Sequence, residues 1–451
     1  MAGTSSAGVV DHHATPKEIH LLVIIHGLWG SVSHVSSIVK TIEAAYEERA
    51  ASTTHEMRVL CPKTNESDLT YDGCDFCSVR VLQEIDEFIQ DVAPQKVTRF
   101  SIVGYSLGGI IARFLVGSLE SNSFFDSVEP VNFTTFASPA VGVPHFPNYI
   151  SRLLNWFGPR VLSRTGAQLY ATDDYLNGRP LLEVLARPDT SFHNALLRFR
   201  KKQIYANSVN DRTVPYPSGY FPENYIDPFA RADRIARLHV DDPDALKVNL
   251  ELGGLRLTFK KDCPHIIESI ESIKPPILAE NKSSRWRWPS LPFFLRPSTF
   301  SSLPYGLGYV VPILMPLLIP SFILYILARF MIQSRKSQKR IRSLHSGDLS
   351  TMEGRLRRVG LALEDTFDEI AEDVFPLSGD TEELTETDPI FTPSQKRMIQ
   401  NLNAIPELEK IMVYLPQERN SHGAIICRNP SFEGHRKGLE VLKWWSEQFI
   451  F

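Results

Sequence analysis

From about residue 17 to residue 275 the chain alternates short apolar runs with longer stretches of helical periodicity, the pattern of a parallel sheet covered by helices. The runs predicted as strands are Ile19–Ile25, Met57–Cys61, Arg99–Val103, Val131–Ala137 and Gln203–Ala206. Between them, Cys77–Phe88 and Ile110–Leu119 carry their apolar residues at helical spacing. The pattern then changes. Arg285-Trp286-Arg287-Trp288 opens an aromatic, proline-rich stretch, and Leu303–Ala328 follows, twenty-six residues without a charge. A basic run with Arg329, Arg335, Lys336, Lys339, Arg340 and Arg342 closes it. Glu364–Asp388 holds eleven acids and no base and reads as a solvated insert. Order returns with a strand at Lys410–Leu415 and a helical stretch at Glu433–Phe449, with Leu439, Leu442, Trp445 and Phe449 on one face. The expected organisation is a flexible N-terminus (1–17), a core (18–280), a hydrophobic hairpin anchor with basic flanks (281–345), an acidic flexible insert (346–400) and a C-terminal return to the core (401–451).

Two short motifs bring chemistry into this pattern. Phe100–Gly109 reads FSIVGYSLGG, an apolar strand running into Gly104-Tyr105-Ser106-Leu107-Gly108 and then a helical stretch. A serine nucleophile at the tip of a sharp strand-to-helix turn needs neighbours nearly free of side chains, which explains Gly104 and Gly108. About eighty residues earlier the strand Ile19–Ile25 ends in His26-Gly27-Leu28-Trp29-Gly30. In α/β-hydrolases a turn of this kind supplies one oxyanion-hole N–H and the residue after the nucleophile supplies the other. Here those donors would be the amides of Leu28 and Leu107. The fold class expected is therefore α/β-hydrolase, with a membrane-associating hydrophobic insert before the last strand and helix.

A net charge of −4 supplies no global basic field, which argues against a nucleic-acid partner. Cysteines 61, 74, 77, 263 and 427 are odd in number and scattered. Cys74 and Cys77 form a C-x-x-C without a second pair, so thiols in a reducing compartment are expected rather than zinc or disulfides. Residues 1–18 have neither a basic n-region nor an apolar h-region, so no secretory signal is read there. The sequons at Asn65, Asn132 and Asn281 then carry little weight, and the catalytic part is expected in the cytosol. No metal or other cofactor is called for.

A serine hydroxyl needs a histidine to take its proton and a carboxylate to orient that histidine, in the chain order Ser, Asp or Glu, His. Lys202–Asn207 followed by SVNDRTVP is a strand entering a polar loop, so Asp211 is the candidate acid. Asp173, Asp174, Asp241 and Asp242 lack a clear preceding strand. Among histidines, His26 belongs to the turn, His12 and His13 to the N-terminus, and His239 lies among charges. His265 and His422 both stand after a predicted strand and before a predicted helix, and spacing alone does not separate them. A helix that closes the sheet should end the domain, which leans modestly towards His422.

HGLWG, TYDGCDFCSVRVLQEI (70–85), GYSLGG, TFASPAVGVP (135–144), TGAQLYATDD (165–174), YANSVNDRTVP (205–215) and SHGAIICR (421–428) together resemble the putative serine esterase family of fungal lipases, and within it the lipid-droplet phospholipases. The likeness covers most of 18–275 and 410–450. It implies Ser106 as nucleophile and Asp211 as acid. It also implies His422 as base, because the family's histidine precedes an apolar-apolar-Arg segment like Ile425-Ile426-Cys427-Arg428. The chain departs from the family pattern at Ala140, usually histidine, and at Ser78, usually glycine.

The function expected is a serine-dependent lipid ester hydrolase, a phospholipase acting at the droplet surface in lipid catabolism and droplet homeostasis. A protein thioesterase and a non-catalytic lipid-surface scaffold are the alternatives. Leu303–Ala328 exceeds the roughly 20 apolar residues that span a bilayer core, yet a single crossing would part His422 from Ser106 and Asp211. Basic residues flank both sides. Pro312, Pro316 and Pro320 argue against a straight rod. A hairpin or re-entrant anchor over 286–332 is expected, in a lipid-droplet monolayer or the endoplasmic reticulum membrane.

Overall fold

Every residue of β1 (Ile19–Ile25) is buried, because this strand lies inside a sheet covered on both faces. The computed structural model describes residues 17–188, 190–239, 250–251, 253–274, 307–345 and 388–451. Its eight-stranded sheet runs in the order β2 (Glu56–Leu60), β1, β3 (Val97–Tyr105), β4 (Glu129–Phe136), β5 (Lys201–Asn207), β8 (Leu408–Val413), β7 (Cys263–Ser272), β6 (Leu255–Lys260). Pairing is parallel from β2 to β8, and β7 is antiparallel to both its neighbours. The helices are α1 (Ser36–Arg49), α2 (Cys74–Asp91), α3 (Leu107–Ser121), α4 (Tyr149–Val161), α5 (Ser163–Leu169), α6 (Leu181–Ala186), α7 (Ser191–Arg198), α8 (Tyr216–Gly219), α9 (Pro228–His239), α10 (Leu307–His345), α11 (Pro393–Asn403) and α12 (Gly438–Glu447).

Alternation along β1 divides the core. Leu21, Val23 and Ile25 pack with α2, α3, α6, α7 and α11, whereas Leu22 and Ile24 face α1 and α12. The C-terminal end is stitched to the sheet: Trp445 Nε1 donates to Thr134 Oγ1 at 3.2 Å, and Asn132 Nδ2 donates to the Ile450 carbonyl at 2.8 Å. The five cysteines are free thiols. This is the α/β-hydrolase architecture expected from the two motifs.

Four expectations need correction. Residues 255–272 form an antiparallel pair, β6 and β7, at the sheet edge, so His265 lies within a strand rather than between a strand and a helix. On α12 the buried residues are Gly438, Val441, Leu442, Trp445 and Ser446, while Leu439 is exposed. Positions three and four before Trp445 share its face, and Leu439 does not. The acidic insert ends before residue 388. Asp388 is buried against the Arg231 guanidinium, and α11 starts on a capping box between Thr392 and Gln395, with Met398, Ile399 and Leu402 in the core. Finally, α10 is one helix of 39 residues that continues through Pro312, Pro316 and Pro320. Prolines four apart fall on one face, so the missing donors lie along one stripe and the remaining ladder persists. No hairpin turn falls within 307–345; residues 281–306, where a first arm was expected, lie outside the described residues, as do 346–387.

Candidate active site

Ser106 caps the N-terminus of α3 with φ 57° and ψ −124°. A serine held at positive φ costs roughly 1–3 kcal/mol, which the surroundings must sustain. Glycine makes the turn possible. A Cβ on Gly104 would lie 2.4 Å from the Gly109 Cα, and one on Gly108 would lie 2.3 Å from the Ile25 carbonyl oxygen. The elbow is thus wedged between β1 and α3, with Ser106 N donating to the Phe136 carbonyl of β4 at 2.9 Å.

The HGLWG turn leaves β1 directly beside this serine. A Cβ on Gly27 would stand 2.7 Å from the Ser106 Cβ. His26 Nδ1 bonds the Gly27 carbonyl at 3.0 Å, a bond that needs the proton on Nδ1. Burial holds the ring's pKa below the ordinary value, which favours the neutral form. Gly30 N donates to the same carbonyl at 3.0 Å, and Trp29 N donates to Thr70 Oγ1 at 3.1 Å. These bonds brace the turn whose Gly27 abuts Ser106, one residue before the Leu28 amide. Across from it, Leu107 is the first residue of α3, so its N–H has no acceptor within the helix and lies at the positive end of the helix dipole.

Asp211 follows β5 in a loop where its carboxylate is 1% exposed. Oδ1 accepts from Thr213 N and Val214 N at 2.9 and 2.8 Å, and Oδ2 accepts from Asn207 Nδ2 at 2.8 Å. His422 sits in the turn after β8, which pairs with β5. Its Nδ1 is 3.0 Å from Asp211 Oδ2 and its Nε2 is 3.0 Å from Ser106 Oγ. A buried carboxylate on Nδ1 fixes that proton there and leaves Nε2 as an acceptor facing the serine hydroxyl. The three residues that were far apart in sequence form one hydrogen-bonded line, able to raise the nucleophilicity of Ser106.

Several supporting residues escaped the sequence reading. Ser421 Oγ donates to the Val209 carbonyl at 2.7 Å and Ser421 N to the Asn210 carbonyl at 3.0 Å, tying the histidine turn to the aspartate loop. Tyr105 donates its hydroxyl to the His422 carbonyl at 3.0 Å, and its ring packs 5.2 Å from the imidazole. Asn207, four residues before the acid at the end of its strand, offered the only signal that could have been read. His265 lies elsewhere: its Nε2 is 3.5 Å from Glu440 of α12. Asp173 and Asp174 accept backbone N–H groups of Leu181 and Gly178, and Asp241 and Asp242 lie outside the described residues. Ala140 is buried and its carbonyl accepts from Arg113 Nη1 at 2.8 Å, while Ser78 is buried on α2, so neither family departure touches the relay. Among the described residues no group of His, Cys, Asp and Glu side chains is arranged to hold a metal ion.

Residues 15–224 match the family model described as putative serine esterase (DUF676). The putative lipase ROG1 of Saccharomyces cerevisiae is 35% identical over 202 residues, and the putative lipase C4A8.10 of Schizosaccharomyces pombe is 28% identical over 212 residues. Each match covers 44% of this chain, which spans only 28% and 26% of those two relatives. An extracellular α/β-hydrolase from a Paenibacillus species is a distant structural likeness, with 16% identity over 45% of this chain and 84% of its own and a TM-score of 0.27. The sheet order and the elbow carry the fold assignment without it. The segment that is similar to the putative serine esterase family includes Ser106 and Asp211.

Proposed function

We propose that this chain is a serine-dependent hydrolase of acyl-lipid esters, a phospholipase that works on the surface of a lipid droplet or the endoplasmic reticulum membrane with its catalytic domain in the cytosol. The observation that carries the proposal is the relay of two 3.0 Å hydrogen bonds through His422. Ser106 Oγ attacks the ester carbonyl while His422 Nε2 takes its proton, and Asp211 stabilises the resulting imidazolium. The Leu28 and Leu107 amides receive the oxyanion, a contribution of about 2.7–4 kcal/mol for one such donor. His422 returns the proton to the leaving alcohol. Water, deprotonated by the same histidine, then releases the fatty acid and restores Ser106.

Two features outside the relay favour a lipid over a protein thioester. On α10, Leu314–Ser343 contains a stretch long and apolar enough to cross a membrane, with mean hydropathy 1.9, and none of residues 314–325 is buried. Beside its C-terminal half lies α4, an amphipathic helix whose exposed face carries Tyr149, Leu153, Leu154 and Trp156. Both ends of the segment between β7 and β8 belong to one sheet, so an α10 that enters lipid must be matched by a return to the same side. The test uses the full chain with phospholipid, triacylglycerol and palmitoyl-peptide substrates. Phospholipid turnover, lost together with fluorophosphonate labelling in Ser106→Ala, is the expected result. Labelling that persists in Ser106→Ala overturns the nucleophile, and turnover confined to palmitoyl-peptides overturns the substrate class.

A further inference from the structure

The catalytic turn and the apolar helix meet directly. Trp29 follows Leu28 in the turn that abuts Ser106, and its ring is 45% exposed. It stacks on Phe330 of α10 with centroids 5.4 Å apart and planes 9° from parallel. Between them opens a cleft of about 440 Å³. Trp29 and Tyr71 form one wall; Phe322, Tyr325, Ile326 and Phe330 of α10 form the other.

The cleft stands on a fixed dock. Arg340 of α10 donates from Nε and Nη2 to the buried Asp72 carboxylate at 2.7–3.2 Å, and Ser337 Oγ meets Ser163 Oγ at 3.1 Å. Asp72 closes the turn Ser67–Asp72, whose Thr70 also holds the Trp29 amide. The helix is therefore anchored to the very turn that braces the oxyanion-hole candidate. Towards its N-terminus the α10 wall continues without a break into the exposed apolar surface of residues 314–325.

We propose that this cleft takes one fatty-acyl chain of the scissile ester, an assignment that rests on the serine hydrolase reading above. The carbonyl sits between Ser106 and the Leu28 amide, and the chain runs past Trp29 along α10. An acyl chain needs an apolar slot that lies near the nucleophile and opens towards apolar surroundings. This cleft begins at Trp29, two residues from the Gly27 that abuts Ser106, and its α10 wall runs into the exposed apolar residues 314–325. A phosphate headgroup fits it poorly, because the cation Arg329 shares the cleft with Asp68 and leaves no surplus positive charge.

The experiment compares p-nitrophenyl palmitate with p-nitrophenyl butyrate, using the full-length protein in mixed micelles. Ile326→Trp narrows the cleft from its inner side and Phe322→Trp from its exposed side, where folding is not at stake. The expected result is a fall of about tenfold or more in the palmitate-to-butyrate ratio of kcat/KM, accompanied by a gain for chains short enough to stop before Ile326. An unchanged ratio in both variants overturns the proposal. A second measurement is independent of turnover: a palmitoyl ester bearing a terminal diazirine is photolysed with Ser106→Ala protein. Crosslinks at Phe322, Ile326 or Phe330 support the cleft, and crosslinks confined to other segments overturn it. If Ser106→Ala still turns over substrate, the hydrolase reading fails, while the crosslink map continues to judge the cleft.

Discussion

α3 and α10 are both rich in Leu, Ile, Val and Phe, and they meet opposite surroundings. Every residue of α3 from Leu107 to Leu119 is buried between β1, α2 and α7. On α10 Leu317, Phe322, Leu324 and Tyr325 are each more than 60% exposed. Burial of a large apolar side chain is worth roughly 1.5–3 kcal/mol. α3 gains that stabilisation from the protein, whereas the described residues leave this part of α10 without it. The last third of α10 behaves differently again. Ser334 and Ser337 are buried, and Arg340 pairs with Asp72. One helix thus joins the domain that holds Ser106 at one end and leaves large apolar side chains exposed, among the described residues, at the other.

The largest effect separates the two histidines that sequence spacing left open. His422→Ala removes the base from a relay in which all three members are hydrogen-bonded, and kcat should fall by about 10⁶, as for removal of the histidine of a serine hydrolase triad. His265→Ala leaves that relay intact and should change kcat by less than about twofold; steady-state kinetics on a soluble ester reads both. A reversed pattern would mean that the relay seen here is not the working one, and that the chemistry is complete without β8.

The second effect probes the contrast between the helices. Phe322→Asp and Leu324→Asp each place a charge where the exposed stretch would meet hydrocarbon, at about 3 kcal/mol per substitution. Partition into phosphatidylcholine vesicles should drop roughly 100-fold for each, with the melting temperature nearly unchanged because both side chains are more than 60% exposed. Phe114→Asp on α3 should do the reverse, abolishing soluble folded protein whatever lipid is present. Vesicle flotation and circular dichroism of the three variants distinguish the cases, and unfolding of Phe322→Asp in detergent-free buffer would show that the domain itself needs this face.

What could be read from the chain divides along the same line. The elbow, the turn after β1 and the acid loop were legible because each rests on local backbone chemistry: glycines where a Cβ would collide, and a polar loop after a buried strand. The pairing of Asp211 with His422 was not legible at that level. It depends on β8 lying beside β5, and 200 residues separate the ends of those strands at Asn207 and Leu408, with β6, β7 and α10 in between. β7 was hidden because charges such as Glu268 and Glu271 mask its strand character, so that the residues after His265 read as the start of a helix. α11 was overlooked although Thr392-Pro393-Ser394-Gln395 carries a capping box, because the acidic run before it dominated the composition. The hydrophobic segment was visible as such, but its continuity through three prolines reflects their common face, which a count of helix breakers ignores.

The smallest effect concerns α4, which composition did not single out. Asn148 caps it, accepting from Ser151 N at 2.7 Å, and no partner covers its outer face among the described residues. Ser151 and Val161 turn inward, while Tyr149 is 87% and Leu153 62% exposed. Arg160 lies over the Trp156 ring at 4.9 Å and Arg152 near Tyr149 at 5.9 Å, an arrangement of aromatic bodies and cations suited to a headgroup layer. Ser334 of α10 donates to the Arg160 carbonyl at 3.3 Å, so the two helices meet where α10 leaves the domain. If α10 enters lipid, α4 should rest on the same surface. Trp156→Ala removes a ring that is already partly covered, which limits the loss to about 1 kcal/mol, or about fivefold in vesicle affinity. The loss should grow with anionic lipid when Arg152→Ala and Arg160→Ala are added, and shrink at high salt. Equal vesicle binding by Trp156→Ala and the parent protein at low salt would leave α10 as the sole contact and assign the exposed face of α4 to something other than lipid.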